Sequence, residues 1–130
     1  MEIQPQSGEA PLYQRLGGYD AIAAVTGEFY SKLMSDSRLG RFFSGLSTDS
    51  KHRVVQLTAE MLCRAAGGPC FYTGRAMNTS HKGLGITEED WKHSMQCLEE
   101  TLAKHNVSGR DKDDVLSIIA GYKGEIIEPS

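Results

Sequence analysis

The chain has 130 residues, of which 39% are hydrophobic, 24% charged and 8% aromatic, and its formal net charge at pH 7 is −3. This size and composition predict one compact globular domain and exclude a largely disordered chain. No apolar run approaches the roughly 18 residues that a membrane-spanning helix needs. The 14 Lys and Arg residues are scattered, whereas nucleic-acid-binding proteins cluster them on one face. We therefore expect neither membrane insertion nor nucleic-acid binding.

The first ten residues and the cysteines bear on domain limits and compartment. Residues 1–10 are polar and aperiodic, which predicts a flexible tail before a domain over 11–130. They show neither the basic start nor the apolar stretch of a secretory signal.

The cysteines Cys63, Cys70 and Cys97 are odd in number, which disfavours a disulfide scaffold. We expect a cytoplasmic protein with reduced, buried thiols, as a monomer or weak dimer.

Glycine residues divide the first half of the chain into helical segments. A short helical piece over 12–16 is ended by Gly17 and Gly18. From Tyr19 onward the apolar residues recur at helical spacing, which predicts an amphipathic helix of roughly four turns. That helix is expected to end near residues 35–37, where a short turn begins.

Capping signals mark the later helices. Residues 47–50 offer several N-cap side chains, and the helix that follows is stopped by the Gly-Gly-Pro of residues 67–69. Thr87 with Asp90 three residues later is a capping box in which Asp replaces the usual Glu, and the same signature recurs at 108–111. No segment alternates with period two. The predicted fold is therefore all-α, with four substantial helices.

The segment between the second and third long helices is the unusual part. Residues 69–85 are rich in glycine and have no clear period, which predicts a long loop with one helical turn around 77–81. Long loops in small domains are often functional. His81 lies in this loop between two amphipathic helices, where helical proteins place ligand sites. One imidazole is enough to anchor haem iron, but the residues alone favour a solvated loop histidine.

Several other interpretations remain open at this point. No HExxH or CxxC motif occurs, and Cys63, Cys70 and His81 match no standard zinc spacing. Tyr30, on the apolar face of its helix, is either a core tyrosine with a backbone partner or a phenol directed into a cavity. A cofactor-free helical interaction domain is the remote alternative.

Short motifs are spread over residues 11–127. They are Leu12-Tyr13-Gln14-Arg15-Leu16-Gly17-Gly18, Phe29-Tyr30, Arg41-Phe42-Phe43, Ala66-Gly67-Gly68-Pro69, Phe71-Tyr72-Thr73-Gly74-Arg75-Ala76-Met77, His81, and Gly83-Leu84-Gly85-Ile86-Thr87. Together they resemble group I of the truncated haemoglobin family. The resemblance implies a truncated globin fold, a two-over-two helical sandwich around one haem b (iron protoporphyrin IX).

The resemblance also implies roles for individual residues. His81 corresponds to the proximal ligand of the haem iron, and Tyr30 to the distal tyrosine that hydrogen-bonds the bound ligand. Counting back from the glycine pair places the two distal helix positions, where many relatives carry glutamine, on Val54 and Thr58. Gln56 lies about 200° from the centre of that helix face and is the second candidate after Thr58.

Leu57 stands where some relatives of this kind carry a second iron-ligating histidine, which counts against hexacoordination by histidine. Arg53, Arg75 and Lys82 are candidates for pairing with the haem propionates. The haem pocket implied by the resemblance consists of Phe29, Phe43, Arg53, Leu57, Met61, Leu62, Arg75, Met77, Lys82, Ile86, Trp91 and Ile119.

The function implied is reversible binding of O₂, and also of CO and NO. Nitric oxide dioxygenase or peroxidase-like activity is the alternative within the same family. Either enzyme activity needs an external reductase, because the sequence has no flavin- or nicotinamide-binding motif.

Overall fold

The computed structural model describes residues 10–70 and 85–127. Its elements are α1 (Leu12–Leu16), α2 (Tyr19–Ser35), a 3₁₀ turn (Gly40–Phe42), α3 (Thr48–Ala65), α4 (Glu88–Lys104), α5 (Gly109–Ala120) and α6 (Lys123–Ile126). This described part has no strand, so the all-α prediction is confirmed, although the sequence pattern did not predict the short α6. None of the described helices is long and apolar enough to cross a membrane. Residues 1–9 of the predicted tail and 71–84 of the predicted long loop lie outside the described residues.

Helix α2 joins two parts of the core. It packs against α1, α3, α4 and the 3₁₀ turn. Near its start, Ile22 contacts Ala59 and Cys63 of α3. Near its end, Leu33 is buried in a cluster that includes Cys97 of α4. Helix α2 therefore packs on α3 near its start and on α4 near its end, and so fixes the positions of both helices.

A third apolar cluster adjoins the other two through Tyr13, Leu16 and Phe29. It brings together α1, the end of α3, α4 and α5. Its buried members are Leu12, Ala66, Leu98, Leu102, Val107 and Val115.

Helix α1 is held by polar contacts as well as by this cluster. The backbone N–H of Tyr13 donates to the carbonyl of Ala66 at 2.9 Å. The guanidinium of Arg15 donates to Asp111 at 2.6 Å and to Asp114 at 3.1 Å. The first helix therefore connects the end of α3 with the start of α5.

The ion pair at Arg15 corrects one prediction. Ser108 is the N-cap residue of α5, but its side chain accepts no capping hydrogen bond. Its expected partner Asp111 is engaged by Arg15 instead. The capping box predicted at residues 108–111 is therefore wrong, although the helix start itself is in the expected place.

The chain after α3 turns sharply at two glycines. Gly67 has a φ of 92°, a left-handed conformation that favours glycine. A Cβ atom on Gly68 would lie 2.6 Å from Cε1 of Tyr13 and 2.7 Å from Sγ of Cys63. The close approach of α1 to the end of α3 therefore requires a residue without a side chain at position 68.

The same turn brings two cysteines together. Cys63 and Cys70 form a disulfide, with their Cα atoms 5.9 Å apart. The expectation of reduced thiols is therefore wrong for this pair, while Cys97 is free and buried as expected. Because both sulfur atoms are engaged in the disulfide, Cys63 and Cys70 cannot act with His81 as thiolate ligands of a zinc ion.

Asp90 joins α4 to the segment after α2. The Thr87 hydroxyl accepts from the Asp90 N–H at 3.1 Å, and Oδ2 of Asp90 accepts from the Thr87 N–H at 3.0 Å, so the predicted capping box is present. Oδ1 of Asp90 also accepts from Nε of Arg38 at 2.8 Å, and Oδ2 from Nη2 of Arg41 at 2.9 Å. A fully buried carboxylate thus fixes the 3₁₀ turn against the start of α4.

These contacts determine the charge of Asp90. Burial by itself raises the pKa of this carboxyl, but hydrogen bonds from Thr87 and Arg38 and the charge of Arg41 outweigh it. The resulting pKa is below the ordinary value of 3.8. Asp90 is therefore ionised in the folded protein over the whole neutral and mildly acidic range.

We expect Gly68→Ala to lower the free energy of unfolding by about 1–3 kcal/mol, because the new methyl group overlaps the Tyr13 ring. Gly27→Ala is the matched control. Gly27 lies inside α2, where an added Cβ atom would have nothing within 4 Å, so this change should stabilise the protein by about 0.5–1 kcal/mol. Urea unfolding followed by circular dichroism measures both, and equal effects of the two substitutions would contradict the proposed overlap.

We expect Asp90→Asn to cost about 2–3 kcal/mol at pH 7, because the two arginines lose their charged partner but remain partly exposed to water. A carboxyl with a lowered folded pKa stabilises the protein above its unfolded pKa, and this contribution is lost as the pH falls through the folded pKa. The difference between wild type and variant should therefore shrink below about pH 3.8. Urea titrations from pH 7 to pH 2 test this, with Asp113→Asn on an exposed position of α5 as the control.

Candidate functional site

Two hydroxyl groups meet where α2 faces α3. The phenolic oxygen of Tyr30 and Oγ1 of Thr58 are 2.9 Å apart, a hydrogen bond in which either oxygen can donate. Both residues are half-buried. Helical periodicity explains the placement, because Tyr30 lies on the apolar side of α2 and Thr58 on the apolar side of α3. The structure therefore brings Tyr30 together with Thr58, the residue that the sequence favours over Gln56 as its distal partner.

Aromatic rings fix the position of Tyr30. The Phe29 ring lies 5.5 Å from the Tyr30 ring at 60°. The Phe43 ring meets it edge-on, at 5.9 Å and 86°. Edge-to-face contacts of this kind are favourable beyond the area that they bury. Phe43 directly follows the 3₁₀ turn, so the Asp90 ion pairs that hold the turn also help to position this wall of the site.

Gln56 points away from the hydroxyl pair. It is exposed, and its side-chain amide donates to Glu60 at 3.3 Å, one turn further along α3. Two residues on a helix are about 200° apart, so Gln56 and Thr58 face nearly opposite sides. The structure places Thr58 beside Tyr30 and leaves Gln56 on the surface.

The remaining positions predicted on α3 fall into three groups. Val54 and Leu57 are half-buried, on the same side of the helix as Thr58, and Met61 is buried. Leu62 packs instead against the cluster around Ile22. Arg53 is exposed. The side of α3 that carries Thr58 is thus mainly apolar, and the exposed cation of Arg53 lies within the first two turns of this helix.

The later predicted pocket residues are only partly described. Trp91 is buried in α4, and Ile86 is half-buried just before that helix begins. Ile119 packs against the core cluster that contains Leu102. The other predicted positions lie outside the described residues: Arg75, Met77, His81 and Lys82.

Two of the described histidines are held by carboxylates that sequence reasoning did not pair with them. Nε2 of His93 lies 2.6 Å from Asp36, and Nε2 of His105 lies 3.1 Å from Glu28. The hydrogen bond to His93 is the main cause of a lowered pKa of Asp36, and those to Lys104 and His105 lower the pKa of Glu28. The partners are 57 and 77 residues apart in sequence, and no local pattern reveals such pairs.

The chemistry of this surface fits a flat, largely apolar group such as the haem that the sequence resemblance implies. Phe43, Val54 and Leu57 offer half-buried apolar surface around the hydroxyls of Tyr30 and Thr58. Hydroxyl groups in a mainly apolar wall can hydrogen-bond a small polar ligand while excluding bulk water. The described side of the site therefore suits a haem pocket with a polar distal pair.

Comparison with known proteins gives one consistent family. The model of the family described as "Bacterial-like globin" matches residues 11–128. The group 1 truncated haemoglobin GlbN of Mycolicibacterium paratuberculosis is 32% identical over 117 residues, which is 90% of this chain and 84% of that protein. The group 1 truncated haemoglobin of Tetrahymena pyriformis is 31% identical over 116 residues, covering 89% and 93% of the two chains.

Solved structures agree with the sequence comparison. The truncated haemoglobin of Tetrahymena pyriformis in its Fe(III) form superposes with a TM-score of 0.82 at 25% identity, covering 92% of this chain and all (100%) of that one. The 2/2 haemoglobin of Synechococcus sp. PCC 7002, in the cyanomet state with covalently attached haem, gives a TM-score of 0.80 at 27% identity, covering 91% and 98%. The predicted two-over-two helical fold is thereby confirmed.

Proposed function

Because the chain belongs to the bacterial-like globin family, as a group 1 truncated haemoglobin, we propose that it is a haem b protein that reversibly binds O₂, CO and NO. In this proposal His81 holds the haem and Tyr30 hydrogen-bonds the bound ligand. The haem, when bound, supplies the iron at which a diatomic ligand binds. The observation that carries the proposal is the hydrogen bond between Tyr30 and Thr58 in an otherwise apolar wall.

The paired hydroxyls give the site a donor whose direction can change. Each hydroxyl can donate one hydrogen and accept others, and its hydrogen rotates to suit its partners. When Thr58 donates to the phenolic oxygen, the Tyr30 hydroxyl can rotate its own hydrogen toward a ligand in the pocket. A partly negative ligand then gains a hydrogen bond of roughly 1–3 kcal/mol, because water is excluded. Thr58 is thus a positioning residue for Tyr30.

Neighbouring side chains restrict the movement of Tyr30. Its ring is in contact with Phe29 and Phe43, so swinging the phenol away would break two aromatic contacts. A donor that is already in place loses little entropy when the ligand arrives. We expect this arrangement to slow ligand release more than a freely rotating side chain would.

The other histidines support the role proposed for His81. His52 is exposed on α3, and His93 and His105 are engaged by carboxylates. His81 is the histidine that the family motif matches, so the proposal assigns the iron to it.

The proposal extends to the rim of the pocket and to the compartment. Arg53, exposed on α3, is available to pair with a haem propionate, together with Arg75 and Lys82. Leu57 is half-buried on α3, and its apolar side chain cannot bind iron, so the proposal includes no second iron ligand from this position. The proposed compartment is the cytoplasm.

We expect Tyr30→Phe to raise the O₂ dissociation rate about tenfold or more, which corresponds to a loss of about 1.4 kcal/mol of hydrogen bonding. Thr58→Val should raise it less, because Tyr30 keeps its hydroxyl. In the double variant the two effects should not add, since both act through one hydrogen-bonded pair. Stopped-flow O₂ displacement by CO measures these rates.

Gln56→Ala is the control for these variants and should leave the rate unchanged, because this side chain faces away from Tyr30. An unchanged rate in Tyr30→Phe, or a larger effect of Gln56→Ala, would contradict the assignment of Tyr30 as donor.

We expect His81→Ala to abolish stable haem retention, because the iron loses the imidazole that the proposal assigns to it. The Soret absorbance that remains with the protein after gel filtration measures retention. His52→Ala, at an exposed position of α3, is the matched control and should keep its haem. A His81→Ala protein with an unaltered ferrous and CO-bound spectrum would overturn the assignment.

A further inference from the structure

A second polar cluster lies where the end of α2 meets α4, outside the Tyr30 and Thr58 pair. Asp36 directly follows α2, and His93 and Cys97 are four residues apart on α4, so they share one face of that helix. The carboxylate oxygen, imidazole nitrogen and thiol sulfur all lie within 4.8 Å of one another. A carboxylate, an imidazole and a thiol, three different types of metal ligand, are therefore close enough to approach a single ion.

The carboxylate of this cluster is already oriented. Oδ1 of Asp36 accepts the backbone N–H groups of Arg38 at 2.8 Å and Leu39 at 3.1 Å. Oδ2 is thereby directed toward Nε2 of His93, 2.6 Å away. Backbone hydrogen bonds of this kind hold a metal ligand in place before the ion arrives, as the outer partners of known metal sites do.

We propose that Asp36, His93 and Cys97 form a site for a zinc ion, with a water molecule as fourth ligand. Tetrahedral zinc has Zn–S bonds of about 2.3 Å and Zn–N and Zn–O bonds of about 2.0 Å, which places neighbouring ligand atoms about 3.3–3.5 Å apart. To reach that spacing, the 2.6 Å distance between Asp36 and His93 must lengthen by about 0.7 Å, and the distances to the Cys97 sulfur, at most 4.8 Å, must shorten by at most about 1.5 Å. A thiolate with an imidazole selects zinc over magnesium or calcium, which take oxygen ligands.

Binding exchanges protons for the ion. The hydrogen bond between Nε2 of His93 and Asp36 gives way to bonds from each atom to zinc, and the neutral imidazole then carries its hydrogen on Nδ1. The thiol of Cys97 forms the Zn–S bond and its proton leaves to solvent. No electron transfer is involved.

The surroundings of Cys97 argue against a different use of the same three residues. Burial raises the pKa of this thiol, and the charges of Asp36 and Glu100 raise it further. A cysteine nucleophile needs a lowered pKa, so a catalytic Cys-His-Asp arrangement does not fit. A divalent cation supplies the positive charge that stabilises the thiolate, beside the ion pair of Lys32 and Glu100.

The test uses the purified haem-containing protein, stripped of other metals and titrated with zinc chloride in competition with a chromophoric chelator. We expect one zinc ion per chain. X-ray absorption at the zinc edge, which haem iron does not obscure, should show one sulfur at about 2.3 Å and nitrogen or oxygen at about 2.0 Å. Cys97→Ser and His93→Gln should each weaken zinc binding at least about tenfold.

His105→Gln is the matched control. His105 lies 3.1 Å from a carboxylate oxygen of Glu28, as a histidine–carboxylate pair without a thiol, and its loss should leave the affinity for zinc unchanged. His93 is partly exposed, so the His93→Gln variant stays informative if Cys97→Ser does not fold. No bound zinc, coordination without sulfur, or unchanged affinity in either ligand variant would overturn the proposal.

Discussion

The buried carboxylate of Asp90 holds together the parts of the structure on which the site depends. It caps α4 through Thr87 and pairs with Arg38 and Arg41 from the segment after α2. This segment carries Phe43, whose ring contacts Tyr30. An isolated carboxylate would be costly in such a place, but this one accepts hydrogen bonds from neighbouring Thr87 and from two arginines about 50 residues earlier in the chain. Local capping and long-range ion pairing thus meet in one side chain.

A close approach of backbone to side chain determines how α1 packs against the end of α3. Gly68 lets the ring of Tyr13 lie against the end of α3, and the turn continues into the Cys63–Cys70 bond. Asp90 and Gly68 therefore anchor the two ends of the part of the chain that runs from α3 to α4. His81 belongs to the segment between these anchors. Contacts within the described residues thus define both ends of the connecting segment.

Sequence patterns predicted features whose cause is local, and missed those whose cause is distant. The apolar phase of α3 selects Thr58 over Gln56, because helical periodicity decides which side a residue faces. The capping box at Thr87 was likewise readable from four consecutive residues. Residues 108–111 carry the same local signature, yet Asp111 is taken by Arg15, 96 residues away. The Asp36–His93 contact also joins segments 57 residues apart, and composition or spacing contains no sign of it. The Cys63–Cys70 bond is local, with a sequence separation of 7, and it was missed because the odd number of cysteines was taken to indicate reduced thiols.

The contacts of Arg15 have a consequence for folding during synthesis. Its partners Asp111 and Asp114 lie 96 and 99 residues further along the chain. The ribosome therefore releases α1 long before α5 exists to receive it. The ion pairs of Arg15 form only after α5 has been synthesised. Contacts of such large sequence separation slow folding, because the intervening chain must be ordered first. Helix α1 thus reaches its final environment only after α5, although it leaves the ribosome well before it.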